Sequence, residues 1–135
     1  MPTRFLDTNV LVRHITVDDP IKARAARELL LRVERGEEQV ASSPLVVLET
    51  IFTLQSFYQV PKQRIRALLL PLINMPGLSL PDKRLYEPAF DLWVQSPMSF
   101  ADAYNSVYMQ ANRLTQIYSW DTDFDRVPGI TRLEP

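Results

Sequence analysis

The stretch Arg4-Phe5-Leu6-Asp7-Thr8-Asn9-Val10-Leu11-Val12 decides how this sequence is read. Phe5-Leu6 is a short apolar run that suits a fully buried strand. Three small polar residues follow at once, and Val10-Leu11-Val12 begins a second apolar run. A buried strand that ends on a carboxylate and turns into a helix leaves that carboxylate at the strand's C-terminal edge. In open parallel α/β sheets, ligands bind at that edge. A local reading competes: Asp, Thr and Asn are all favoured helix caps, so capping alone would explain Asp7, Thr8 or Asn9. The choice turns on whether other acids arrive at the same edge.

Outward from this segment, helices alternate with short strands. Thr8 to His14 makes about two helical turns. Asp19 then caps a helix with Pro20 at its first position. Ile21, Ala25, Leu29 and Val33 form an apolar stripe on that helix, and Arg35-Gly36 closes it. Gln39 to Ser42 is a second strand, and Ser42 or Ser43 with Pro44 opens a helix from Leu45 to Tyr58. That helix is apolar almost all round, so it calls for cover on more than one side, by the sheet and by other parts of the chain or a second subunit. Its polar residues Glu49, Thr53 and Ser56 share one face, which is either its solvent face or the side of a site.

Pro61 starts another helix, exposing Lys62, Arg64 and Arg66, and Pro71 kinks or ends it near Leu70. After the Pro76-Gly77 turn, Leu78 to Leu80 is a third strand. Leu85, Ala89, Leu92 and Trp93 mark a helix up to Ser96, with Pro88 obscuring its start. Ser99 opens the next helix, whose buried face is read as Phe100, Ala103, Val107, Ala111 and Leu114. Gln116 to Trp120 is a fourth strand, and Ile130 to Leu133 a last one. The alternation predicts an α/β protein with a parallel sheet covered by helices.

At 135 residues, with 46% apolar and 23% charged residues, the chain fits one globular domain spanning 1–135. No run is long enough for a transmembrane helix, and Met1-Pro2-Thr3-Arg4 leads straight into a strand. A soluble, cytoplasmic protein without a membrane partner is expected. There is no cysteine and a single histidine, His14, so thiolate and His-rich metal sites are excluded. Any metal must be held by oxygen, which favours Mg²⁺ or Mn²⁺. A net charge of −1 excludes a broadly basic nucleic-acid coat but not a local basic strip.

Four acids recur at equivalent places. Asp7 ends the first strand and Asp121 the fourth, while Glu49 and Asp102 lie in the opening turns of helices. In a parallel sheet with right-handed crossovers, strand ends and the helix starts that follow share one edge. Local explanations exist, since Ser99 with Asp102 and Thr122 with Asp125 both fit capping boxes. Carboxylates crowded together repel unless a cation neutralises them, and a hard divalent ion does so economically. Such a site suits in-line attack of water on a phosphodiester.

With these residues assembled, the chain resembles PIN-domain proteins, and most of all the VapC ribonuclease toxins. The resemblance rests on Phe5 to Arg13, on Glu49 within an apolar helix, on Ser99-Phe100-Ala101-Asp102-Ala103, and on Ser119-Trp120-Asp121-Thr122-Asp123-Phe124-Asp125. It implies a compact three-layer α/β/α sandwich and an endoribonuclease dependent on Mg²⁺ or Mn²⁺. It also implies a homodimer, an RNA substrate and a small antitoxin that covers the acidic pocket. Asp7, Glu49, Asp102 and Asp121 then match the catalytic, metal-binding acids, with Thr8, Asn9, Ser119 and Asp123 supporting them. Two departures stand out: many relatives carry a further acid where Ser99 stands, and Thr where Ser119 stands. Arg13 reads as a local salt-bridge former.

Other readings of the acidic edge fit less well. A phosphatase with Asp7 as covalent nucleophile usually needs an Asp where Asn9 stands. A phospho-receiver needs a Lys near the end of a late strand, and Ser119-Trp120-Asp121 offers none. A catalytically inactive PIN-like scaffold that binds RNA or protein would have lost one of the four acids most readily.

Overall fold

The structure, a computed structural model, describes residues 3–135. Met1 and Pro2, expected to lead straight into the first strand, lie outside the described residues. The chain divides into two compact units, Met1–Lys83 and Arg84–Pro135.

In the first unit the parallel strands β1 (Arg4–Phe5), β2 (Val40–Ala41) and β3 (Leu78–Ser79) lie in the order β1-β2-β3. Arg4 faces Val40 and Val40 faces Leu78. These two-residue ladders are extended at their ends by Leu6 N–H to the Ala41 carbonyl at 2.8 Å and Ser42 N–H to the Ser79 carbonyl at 2.9 Å. The Ser42 hydroxyl also donates to the Leu6 carbonyl at 3.0 Å. Parallel neighbours need long crossovers, and each crossover here is a pair of helices. Helices α1 (Thr8–Thr16) and α2 (Pro20–Glu34) join β1 to β2; α3 (Pro44–Ser56) and α4 (Lys62–Ile73) join β2 to β3.

The expected caps form. Asp19 accepts from Lys22 N–H at 3.1 Å ahead of Pro20, and Ser43 accepts from Val46 N–H at 3.3 Å ahead of Pro44. Gly36 takes a positive φ of 72° just beyond α2, where a side chain would be strained.

Three expectations need correction. Phe5 is 61% exposed, and only Leu6 beside it is buried, because a two-residue strand at the end of its sheet covers little. On α2 the buried residues are Ala23, Ala26, Leu30 and Val33, while Ile21 is exposed. Each step of four residues overshoots a helical turn by about 40°, so a stripe built on steps of four drifts off the packed face. Pro71 neither ends nor breaks α4, which runs on to Ile73; Pro71 lies on its exposed side. Helix α3 buries Val46, Val47, Thr50, Ile51 and Leu54, while Leu45 and Phe52 are exposed on the single chain.

A polar knot ties the chain after α1 to the chain after α3. The Tyr58 hydroxyl donates to Asp18 at 2.7 Å, and Arg13 pairs with the same carboxylate at 3.0 Å, the local salt bridge expected of it. The Tyr58 bond is the main cause holding Asp18 below the usual carboxylate range; desolvation opposes it, and Thr16 and Arg13 add to the lowering. The same bond raises Tyr58. A lowered carboxyl stabilises the fold above its unfolded pKa and loses that effect as pH falls through the folded value; a raised phenol loses it as pH rises through its folded value. Tyr58→Phe is therefore expected to lower the neutral-pH melting midpoint by about a degree or two. The gap from the parent should close in acid below the folded pKa of Asp18. A constant gap from neutral pH into strong acid would show that the bond contributes nothing.

In the second unit α5 (Tyr86–Gln95) and α6 (Phe100–Ala111) pack together, and β4 (Gln116–Tyr118) pairs in parallel with β5 (Thr131–Leu133). Pro88 falls in the first turn of α5, where no intrahelical N–H is needed. Phe90, Trp93 and Phe100 stack between the helices, with ring centroids 4.9 Å apart for Phe90–Phe100 and 5.5 Å for Trp93–Phe100. Met98, Met109, Phe124, Val127 and Ile130 form a second cluster, on which Leu92 and Ile117 pack. Phe100, Ala103 and Val107 are buried as expected, but Ala111 and Leu114 are exposed, and Ser106 and Met109 take their places. The helix ends at Ala111, so its periodicity stops applying there.

The α/β character and the parallel strands expected from sequence are present. The ladders comprise one three-stranded and one two-stranded set among the described residues. No helix among them is long and apolar enough to cross a membrane.

Candidate functional site

In the first unit, β1 delivers Asp7 to the N-cap position of α1 with extended backbone angles of φ −88° and ψ 160°. The side chain makes no capping hydrogen bond, so the local explanation for this acid is not realised. Thr8, the first residue of α1, is 5% exposed, and its hydroxyl donates to the Glu49 carboxylate at 3.2 Å. That bond crosses the packed α1 and α3 helices and orients an otherwise exposed glutamate. Asn9 is exposed and turned to a cleft between α1 and α2 lined by Val10, Arg13, Lys22, Ala26 and Leu29. A larger cleft, lined by residues including His14, Arg24 and Arg27, contains none of the four acids.

The second unit brings Asp102 and Asp121 together. Ser99 caps α6, its hydroxyl accepting from Asp102 N–H at 3.1 Å. This leaves the half-buried Asp102 carboxyl facing other acids. Burial raises its pKa most; the charge of Asp121, a hydrogen bond shared with Asp121 and the charge of Asp123 add to the rise, and Ser99 opposes it. Asp121 accepts from Asp123 N–H at 2.9 Å and caps the 3-10 turn Thr122–Arg126. Its own N–H is held by the Ser119 hydroxyl at 3.0 Å.

The capping box read between Thr122 and Asp125 is replaced by this Asp121 cap. Asp125 instead pairs with Arg132 at 3.1 Å, which also donates to the Ser119 carbonyl at 3.1 Å. Arg132 was missed from sequence because its partners are fixed only by the pairing of β4 with β5. Asp123 lies 3.8 Å from Arg126, a loose exposed contact.

All donors in both clusters are carboxylate or hydroxyl oxygens, the chemistry that suits a hard divalent cation. The mutual repulsion felt at Asp102 is the kind a cation relieves. Among the described residues, no group of three or more His, Cys, Asp or Glu side chains stands in a metal-holding arrangement.

Short parallel strands running into helices and turns that open on acids define the class, an α/β chain with carboxylates at its strand ends. The PIN-domain family model matches residues 4–130, and the chain belongs to that family. PIN domains are in general nucleases that use divalent metal ions and act on RNA, so a metal-dependent nuclease is the general activity of this chain's family. No curated protein matches the chain.

Proposed function

We propose that this chain is a Mg²⁺- or Mn²⁺-dependent endoribonuclease and the VapC-type toxin of a type II toxin–antitoxin pair. The observation that carries the reading is the Asp102–Asp121 pair, two carboxyls close enough for one to raise the pKa of the other. The uncommitted Asp7 and the oriented Glu49 support it from the first unit.

In this reading Asp7, Glu49, Asp102 and Asp121 are the catalytic, metal-binding acids. When bound, the divalent ion supplies Lewis acidity toward the phosphodiester and the attacking water. Thr8 fixes Glu49, and Ser119 fixes the backbone that presents Asp121. Asn9 and Asp123 are proposed as supporting residues. The one histidine, His14, belongs to neither acid cluster, so no imidazole base is assigned. The whole chain acts as one PIN domain, since the family match spans both compact units. A homodimer is proposed with the exposed Leu45, Leu48 and Phe52 side of α3 as its contact, and an antitoxin as a second partner.

The test is RNA cleavage by purified protein in Mn²⁺ or Mg²⁺, set beside a chelated sample. Activity lost with chelator and restored by Mn²⁺ supports the reading; cleavage that survives chelation sinks it. Growth arrest on induced expression, relieved in Asp121→Asn, tests the toxin role. Thr8→Val is expected to reduce kcat about tenfold, the usual cost of removing a group that orients a metal ligand. Its melting midpoint should stay near the parent's. Unchanged kcat would show that Glu49 needs no such guide.

A further inference from the structure

We propose that Tyr118 and Trp120 form a stacking shelf that grips an unpaired base beside the phosphodiester to be cut. The inference rests on the ribonuclease reading and adds to it two residues that determine how substrate is held.

Along β4 and just beyond, exposure alternates. Gln116, Tyr118 and Trp120 face outward, while Ile117 and Ser119 are half-buried, Ile117 against the Met98–Met109 cluster. Tyr118, the last residue of β4, and Trp120, in the bend two residues beyond it, are 74% and 71% exposed. A single exposed apolar residue is ordinary on a protein surface. Two large aromatic rings at neighbouring outward positions, running directly into Asp121, are a platform.

The backbone beneath them is fixed. Ser119 N–H donates to the Leu133 carbonyl at 3.0 Å, and the Ser119 carbonyl accepts from Arg132 at 3.1 Å. On the far side of Trp120, Asp121 N–H is held by the Ser119 hydroxyl, and the Asp121 carboxylate is held by Asp123 N–H. The backbone that carries the rings is thus held in place, so a ligand that meets them need order only the side chains.

An RNA base is the occupant these features favour. Aromatic faces accept any base by stacking, which is how single strands are commonly held. Trp120 is followed directly in the chain by Asp121 of the acid pair, and Arg126, two-thirds exposed in the following turn, offers charge for a phosphate.

The test exploits the two tryptophans of the chain, Trp93 with no exposed surface and Trp120 largely exposed. In chelator, which prevents cleavage, short oligoadenylate should quench the Trp120 emission, and an abasic sugar-phosphate strand of equal charge should not. Trp120→Ala should weaken binding of labelled oligoadenylate about tenfold or more, and Trp120→Phe should restore most of it. In cleavage assays the loss should fall on KM, with kcat largely kept. Absent quenching, equal quenching by the abasic strand, or unchanged affinity in Trp120→Ala overturns the shelf. Cleavage without quenching removes this inference alone; quenching without cleavage keeps the shelf and removes the ribonuclease reading.

Discussion

Asp7→Asn is expected to reduce RNA cleavage by more than about a hundredfold, the scale seen when one charge-stabilising group is removed from an active site. The change exchanges one oxygen for an amide nitrogen and removes a negative charge, with almost no change of volume. Asp7 makes no capping bond and is exposed, so the fold loses nothing that depends on the carboxylate. Asn is also as good an N-cap residue as Asp. The melting midpoint should therefore stay within about a degree or two of the parent's, which separates lost chemistry from lost structure. Cleavage in the variant at the parent's rate would remove Asp7 from the site or expose a contaminating nuclease.

Gly77→Ala is expected to cost about 3 kcal/mol of stability or more, the upper range for forcing atoms into a filled space. A methyl group built on Gly77 would collide with the Glu38 carbonyl oxygen and lie 2.6 Å from the Val33 carbonyl oxygen. Both obstacles are backbone, so no side chain can swing aside. Gly77 N–H also donates to Val33 at 3.0 Å, and its carbonyl accepts from Val40 N–H at 2.8 Å. The glycine thus clamps the end of α2 to the starts of β2 and β3. Relief of the clash would break one of those bonds. Denaturant unfolding should show a lower midpoint with little change in slope; a loss below about 1 kcal/mol would mean the loop yields freely.

Where the sequence carries local punctuation, it was legible. Asp19-Pro20, Ser43-Pro44 and Gly36 mark helix ends because cap and φ preferences act within a few residues. The parallel α/β character followed from alternation alone. Failures occurred where neighbours distant in sequence decide. On α2 the drift of a stripe built on steps of four was compounded by Ala23 and Ala26, small buried residues that give little apolar signal from α2 itself. Arg132 is joined to Asp125 and Ser119 only through the pairing of β4 with β5. At the site, the sequence offered capping as an equal account of each acid. Only geometry separates the idle Asp7 from Asp121, which caps a turn while also pressing on Asp102.

The idle carboxylate of Asp7 also carries an evolutionary reading. A side chain at the head of a helix that leaves the helix's free amides unserved forgoes about 1 kcal/mol. Drift toward a sturdier protein would be expected to recover that amount by bending the side chain onto its own helix. Stabilising changes commonly cost function where a site needs a strained or free group, so under the proposed nuclease reading Asp7 is the point at which reactivity would be kept at the expense of robustness.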